Sequence, residues 1–353
     1  MAKRIGAPAA TSVSSSSSAS GLRQPVRMSD VAQAAGVARV TVSRALNYPE
    51  TLAPATLAKV LDTIRRLGYV PDLTAGSLAS ARSRIVGAIV PTLSNSWYAD
   101  TMEGLAAVLG PSGYHLMLAQ SNYHPRAEAG LVDAFLGRRV DAIVLTGVTR
   151  DRGVRGKLRK LGLPVIETWD LTDSPIDTVV GFSNTGAGQA VAAYFGSRAR
   201  LRIGFIGARE ERSLKRLAGL NRGLAALGAQ PAHAELLHPP SSIALGAQAA
   251  NSLLRKQPDI QGVFCSNDSL AAGALLECRR RGWDVPGRLA VIGFSDLAMA
   301  EASYPPLTTV RVQAREIGRQ TAQALLRRFG GEPRARHQRI LDVGFEIIER
   351  ESA

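Results

Sequence analysis

Cysteine is nearly missing from this 353-residue chain: Cys265 and Cys278 stand alone, and no paired Cys or His residues sit at metal-ligand spacing. That pattern argues against a disulfide framework and against a structural zinc site, and it suits a reducing cytoplasm. Aromatic residues are scarce, 5% against 45% hydrophobic overall, as in an aliphatic α/β core. No apolar run approaches the ~18 residues of a membrane span. The stretch TSVSSSSSASG behind Lys3 and Arg4 has no apolar centre and so is no secretory signal. Basic and free of acidic residues, it has the character of a transit peptide, but residues 1–25 are expected as a disordered Ser-rich tail. Enzyme signatures are missing as well. Gly186-Ala187-Gly188 opens a helix without a third glycine, and neither a GxSxG elbow nor a Walker loop occurs. His115, His124, His233, His238 and His337 are scattered and read as surface or structural residues. No catalytic residue, metal or cofactor is expected.

Positive charge is what the chain has in excess. The net charge is +14, unevenly spread: residues 1–84 hold eleven Lys or Arg against Asp30, Glu50, Asp62 and Asp72, and the other 269 residues carry no more net charge than those 84. Such concentration at one end is what phosphate neutralisation requires, although a basic surface also serves solubility.

That end carries the most informative stretch, MSDVAQAAGVARVTVSRALNYPETLAPATLAKVLDTIRRLGYVP. Val31, Ala32 and Ala35 fall on one helical stripe, Gly36 supplies a tight turn, and Val37 reads as a buried plug. Val40–Leu46 forms a second helix with Val42 and Leu46 inward and Arg39, Thr41, Ser43 and Arg44 outside. A third helix, Pro54–Leu67, closes a small core through Leu57, Val60, Leu61 and Ile64. Helix, Gly-containing turn and helix of this size make a helix-turn-helix, whose second helix lies in the major groove. An ordinary helical hairpin fits the same pattern. In the DNA reading, Arg39 meets guanine bidentately, Val40 packs on a thymine methyl, and Arg44 takes a phosphate.

Beyond Arg84, short aliphatic strands (IVGAIV, YHLMLAQ, DAIVLTG, PVIET) alternate with helices, and the series restarts with RIGFIG, GVFCSN and LAVIGF. The expectation is two sequential α/β lobes with doubly wound parallel sheets. Ligands of such sheets sit outside the carboxyl ends of strands, here Pro91–Tyr98, Gln120–Tyr123, Glu167–Asp170, Ala208–Arg216, Ser266–Asp268 and Ser295–Asp296.

DVAQAAGVARVTVSRALN with the LGYVPD that ends the third helix, and further on VDAIVLTGV, FCSNDSLAAGAL and VIGFSDLAMAEASYPPLTTV, resembles the lac repressor family of bacterial regulators. The resemblance covers everything after about Val26 and implies a cytoplasmic, homodimeric regulator of operator DNA, controlled by a small effector. The core would be two lobes of periplasmic-binding-protein-like architecture. Within that family, LPVIETWDLTDSPIDTVVGFSN and IGFIGAREERS look most like the gluconate-type repressors. A periplasmic-type sugar receptor without DNA function is the alternative. The expected division is residues 26–72 as head, 73–84 as hinge and 85–353 as effector-binding and dimerisation core.

The resemblance also assigns residues. Arg216 matches the arginine that holds the effector, as a planar fork suited to a carboxylate. Asp268 matches a carboxylate that accepts from ligand hydroxyls, with Asn267 and Asp296 at neighbouring strand ends. Glu167 and Asp170 either bind hydroxyls or support the crossover strands; Tyr98 and Trp97 either stack on the ligand or cap a helix start. The hinge LTAGSLASARSR would fold to a helix on DNA, with Leu78 wedged into the minor groove. Gly76 disfavours that helix by ~1 kcal/mol relative to Ala, so it is marginal, as folding coupled to binding needs.

Overall fold

The structure, a computed structural model, describes residues 26–70, 82–93, 96–149, 151–331 and 339–353. The tail and Leu78, with most of the expected hinge, lie outside the described residues. The chain forms two compact units that part at residues 80–81.

In the head, α1 (Met28–Ala35), α2 (Arg39–Asn47) and α3 (Pro54–Leu67) surround Val31, Ala35, Val42, Ala45, Val60 and Tyr69, all buried. Gly36 adopts φ 63°, a left-handed conformation that lets α1 stop abruptly. No hydroxyl precedes α1, yet its start is secured: Asp30 Oδ2 accepts from the Arg27 amide at 2.8 Å. Two inward expectations need correcting. Val37 is only half-buried and Leu61 is 38% exposed, whereas Leu46, half-buried as well, packs against the core beside Ala45. The inner stripe of α3 runs through Val60, Thr63, Ile64 and Leu67, and Leu61 stands roughly a quarter-turn off it. Thr63 is buried because its hydroxyl donates to the Lys59 carbonyl at 2.9 Å.

The core holds two six-stranded sheets. The first contains β1 (Ile85–Val90), β2 (His115–Gln120), β3 (Ala142–Thr146), β4 (Val165–Thr168), β5 (Thr178–Gly181) and, far along the chain, β11 (Ile340–Asp342), in the order β11-β5-β4-β3-β1-β2. All of its pairings are parallel. The second contains β6 (Ile203–Ala208), β7 (His233–Leu237), β8 (Gly262–Cys265), β9 (Ala290–Ser295), β10 (Thr308–Arg311) and β12 (Glu346–Ile348), in the order β12-β10-β9-β8-β6-β7. Only β12 runs antiparallel in it, against β10. Helices cover both sheets: α4 (Ser96–Leu109), α5 (Pro125–Gly137), α6 (Arg152–Leu161), α7 (Asn184–Ser197), α8 (Glu211–Ala226), α9 (Ile243–Lys256), α10 (Asp268–Arg280), α11 (Ala298–Ala302) and α12 (Ala314–Phe329).

The lobes are not sequential, which corrects the expectation. The chain leaves the first sheet after β5 into α7, which packs on α8. It returns after β10 into α12, which packs on α4, and then crosses again between β11 and β12. Glycines make these helix crossings possible. A Cβ on Gly188 would strike the Arg216 carbonyl, and one on Gly219 the Thr185 carbonyl, so α7 and α8 touch backbone to backbone. The Gly186-Ala187-Gly188 run therefore serves helix packing. Strands β5, β7, β10, β11 and β12 and helices α11 and α12 went unread in the sequence, most being only three to five residues long.

Candidate functional site

Helix α2 presents Arg39, Val40 and Arg44 to solvent, with Thr41 and Ser43 half-buried beside them. An apolar Val40 left 56% exposed at the start of a short helix is unusual enough to suggest a partner surface. Tyr48, just past α2, is 61% exposed and was not singled out from sequence. Asn47 Nδ2 donates to the Ser43 carbonyl at 3.0 Å and fastens the end of that helix.

In the core, the carboxyl ends of β1, β2 and β4 face those of β6, β8 and β9 across a cleft of about 410 Å³ of open space. Trp97, Tyr98, Tyr123 and Trp169 wall it from the first lobe; Glu210, Arg212, Arg216, Asn267, Phe294 and Ser295 from the second. Tyr98 and Trp169 meet edge to face at 5.4 Å, and the Trp169 indole N–H donates to Thr101 Oγ1 at 3.1 Å. Tyr123, Trp169 and Ser295 hold φ of 61°, 68° and 109°. Non-glycine residues there cost on the order of 1–3 kcal/mol each, and such strain gathers at ligand sites.

The charged floor comes from α8. Its N-cap, Glu210, accepts from the Arg212 and Ser213 amides at 3.2 and 2.7 Å and from Arg212 Nε at 3.1 Å. Burial works against the Glu210 charge, but Arg212, Arg216 and the Ser213 amide outweigh it and hold the carboxyl below its ordinary range. Arg216 lies over Phe294, its guanidinium carbon 4.0 Å from the ring centre. Its Nη1 donates to Asn184 Oδ1 at 2.7 Å, while Glu210 stands 3.6 Å from Nη2. Burial, with Arg212 adding to it against Glu210, brings the Arg216 guanidinium down to about 10. Arg212 Nη1 and Arg216 Nε are buried with no hydrogen-bond acceptor among the described residues. Each buried donor left unmatched costs about 1–3 kcal/mol, so an acceptor brought by a ligand is strongly favoured.

Of the core residues singled out from sequence, Trp97, Tyr98, Arg216 and Asn267 line the cleft. The carboxylates mostly have protein partners instead. Glu167 Oε1 takes Arg155 Nη1 at 2.9 Å and its Oε2 takes the Ile176 amide at 2.8 Å. Asp170 receives Asn184 Nδ2 at 3.1 Å and pairs with Lys215. Asp296 lies 2.6 Å from Arg311 and 2.8 Å from Arg350. Asp268 is fully buried and accepts from Thr309 Oγ1 at 2.6 Å and the Leu297 amide at 2.7 Å. Glu210, Arg212, Tyr123 and Trp169 fall inside the flagged strand ends, but nothing in their spacing marked them individually.

Asp268 carries a pH prediction. Burial, against the Thr309 and Leu297 hydrogen bonds, raises its carboxyl to about 6. A folded-state value above the unfolded one favours the fold at low pH, an advantage lost as pH rises towards 6. Melting temperatures of wild type and Asp268→Asn, compared from pH 4 to 7.5, are expected to move in favour of the variant as pH increases. A difference constant with pH would contradict this.

The same architecture is found in known proteins. Residues 27–72 match the bacterial regulatory proteins of the lacI family, and residues 192–353 match the periplasmic binding protein-like domain. Over 92% of its length the chain is 38% identical to the HTH-type transcriptional regulator GntR of Pseudomonas aeruginosa, of which it covers 95%. The chain belongs to the lacI family. It is 32% identical to GntR of Escherichia coli K12 over the same share of its length, covering 97% of that protein. Among solved structures, a lacI-family transcriptional regulator from Silicibacter pomeroyi superimposes with a TM-score of 0.87 at 30% identity, over 93% of this chain and 99% of its own. As a lacI-family member the protein is a DNA-binding transcriptional regulator. The matched head sets aside the reading as a free-standing receptor, and the named relatives are regulators rather than enzymes. Among the described residues no helix is long and apolar enough to cross a membrane.

Proposed function

We propose that this protein is a homodimeric, cytoplasmic repressor whose affinity for operator DNA is set by a six-carbon sugar acid, gluconate or a near relative, bound between the lobes. The observation that carries this reading is the pair of buried, acceptor-less N–H groups on Arg212 and Arg216 in an aromatic-walled cleft. A carboxylate supplies acceptors and the missing charge together, while Asn267 and the Ser295 hydroxyl can read ligand hydroxyls from the facing strand ends. The exposed Ile243 and Leu276, on a groove between α9 and α10, offer apolar surface for the second copy. Calorimetry with gluconate, its 6-phosphate and glucose tests the effector. Tight binding of glucose with no preference for the acids would reject the carboxylate and leave the DNA-binding assignment intact.

Operator reading is proposed to rest on Arg39, Val40, Thr41, Ser43 and Arg44, with Leu78 as a minor-groove wedge. Arg39→Ala is expected to weaken operator binding by about 1–3 kcal/mol and to relax preference at one base pair per half-site. Selection from a random-site library measures this, and an unchanged base preference removes Arg39 from the readout.

A further inference from the structure

Resting on that sugar-acid reading, we propose that Asn184 is the residue that makes the cleft select an acid over a neutral polyol of the same shape. Asn184 is the first residue of α7, directly after the chain crosses from the first sheet, and is 1% exposed. Its amide joins the two lobes. Nδ2 donates to the Trp169 carbonyl at 3.0 Å and to Asp170 Oδ1 at 3.1 Å, and Oδ1 accepts from Arg216 Nη1 at 2.7 Å.

The charges around it are dealt out unequally. Glu210 belongs mainly to Arg212, at 3.1 Å, and stands 3.6 Å from Arg216. Asp170 is paired with Lys215, which also lies 3.4 Å from Glu211. The nearest partner of Arg216 is thus a neutral amide, which satisfies a donor without cancelling the charge. Among the described residues Arg216 is therefore the buried cation with the weakest internal compensation, and its acceptor-less Nε belongs to a side chain that lines the cleft. A buried guanidinium in that condition favours an anion over a hydroxyl. An aspartate at 184 would supply the anion from within and remove the preference. Asn184 thereby fixes the charge of the effector while also holding Trp169 and Arg216 in place.

The test exchanges the two side chains. Asn184→Asp alone would set a carboxylate against Asp170, but combined with Asp170→Asn it keeps the net charge, restores the 170–184 hydrogen bond with its direction reversed at the loss of the one to the Trp169 carbonyl, and moves the negative charge from Lys215 to Arg216. Calorimetry compares gluconate with glucitol, the neutral polyol of the same carbon chain. Wild type is expected to prefer gluconate strongly. The exchanged variant should lose about 30-fold or more in gluconate affinity, with glucitol binding unchanged or improved, so that the preference collapses. Asp170→Asn alone, which leaves the partner of Arg216 untouched, should keep it. An exchanged variant with wild-type preference, one that loses both ligands in equal measure while melting normally, or a preference already abolished by Asp170→Asn would each overturn the role of Asn184. Equal binding of gluconate and glucitol by wild type would instead overturn the sugar-acid reading, and the proposal with it.

Discussion

Arg216→Ala is expected to fold, dimerise and bind operator DNA, yet to ignore the effector at millimolar concentrations. Arg216 lies in the inter-lobe cleft, and its truncation leaves Glu210 still neutralised by Arg212 through the Nε contact at 3.1 Å. Nothing in that change touches the inner residues of the head, which make a small core of their own. In the proposed reading, ligand binding by contrast loses its main cation. Removing one partner of a buried charge pair costs about 2–5 kcal/mol, more than tenfold and up to several thousandfold in affinity. Calorimetry reads the loss directly, and a gel-shift titration with effector shows whether DNA release goes with it. A variant that releases DNA at the wild-type effector concentration would remove Arg216 from the site.

Gly219→Val is expected to abolish effector binding by a different route. Gly219 on α8 faces the Thr185 carbonyl on α7, and Gly188 answers it against the Arg216 carbonyl, so there is no room for a Cβ at either position. Valine must push the helices apart, an overpacking that costs about 1–3 kcal/mol or more. The same displacement moves the first turns of α8, which carry Glu210, Arg212 and Arg216. Binding groups need placement within about 0.5 Å, so affinity should fail before the fold does. The measured result should be a melting temperature lower by several degrees with effector binding beyond detection. Gly110→Ala, where a Cβ meets nothing within 4 Å, is the control and should change neither. Wild-type effector affinity in Gly219→Val would show that the α7–α8 contact does not position the site.

How much was legible in the sequence depended on how local the cause was. The head was readable because its core repeats within single helices: Val31, Ala32 and Ala35 on α1 and Val60 with Ile64 on α3 follow the helical period. Leu61 was misplaced because three short helices leave part of an apolar stripe uncovered, and no periodicity states how wide the cover is. The parallel-sheet lobes were readable from β1, β3, β6 and β9, continuous aliphatic runs of the kind that both faces of a buried sheet demand. Short strands such as β11 and β12 carry no such run and owe their place to the neighbours they pair with.

The sequence alone therefore determined the kind of protein this is: a basic helix-turn-helix head followed by α/β lobes. Tertiary structure decided what the charged residues do. Asp268 is engaged by Thr309, Glu167 by Arg155, Asp296 by Arg311 and Arg350, while Arg216 is met by neutral Asn184 from another helix. The physical reason is that apolar burial leaves a period in the local sequence, because each helix or strand turns one face inward. The partner of a buried charge is chosen by where distant elements cross, and those crossings rest on backbone contacts such as that between Gly188 and Arg216, which no spacing of residue types records.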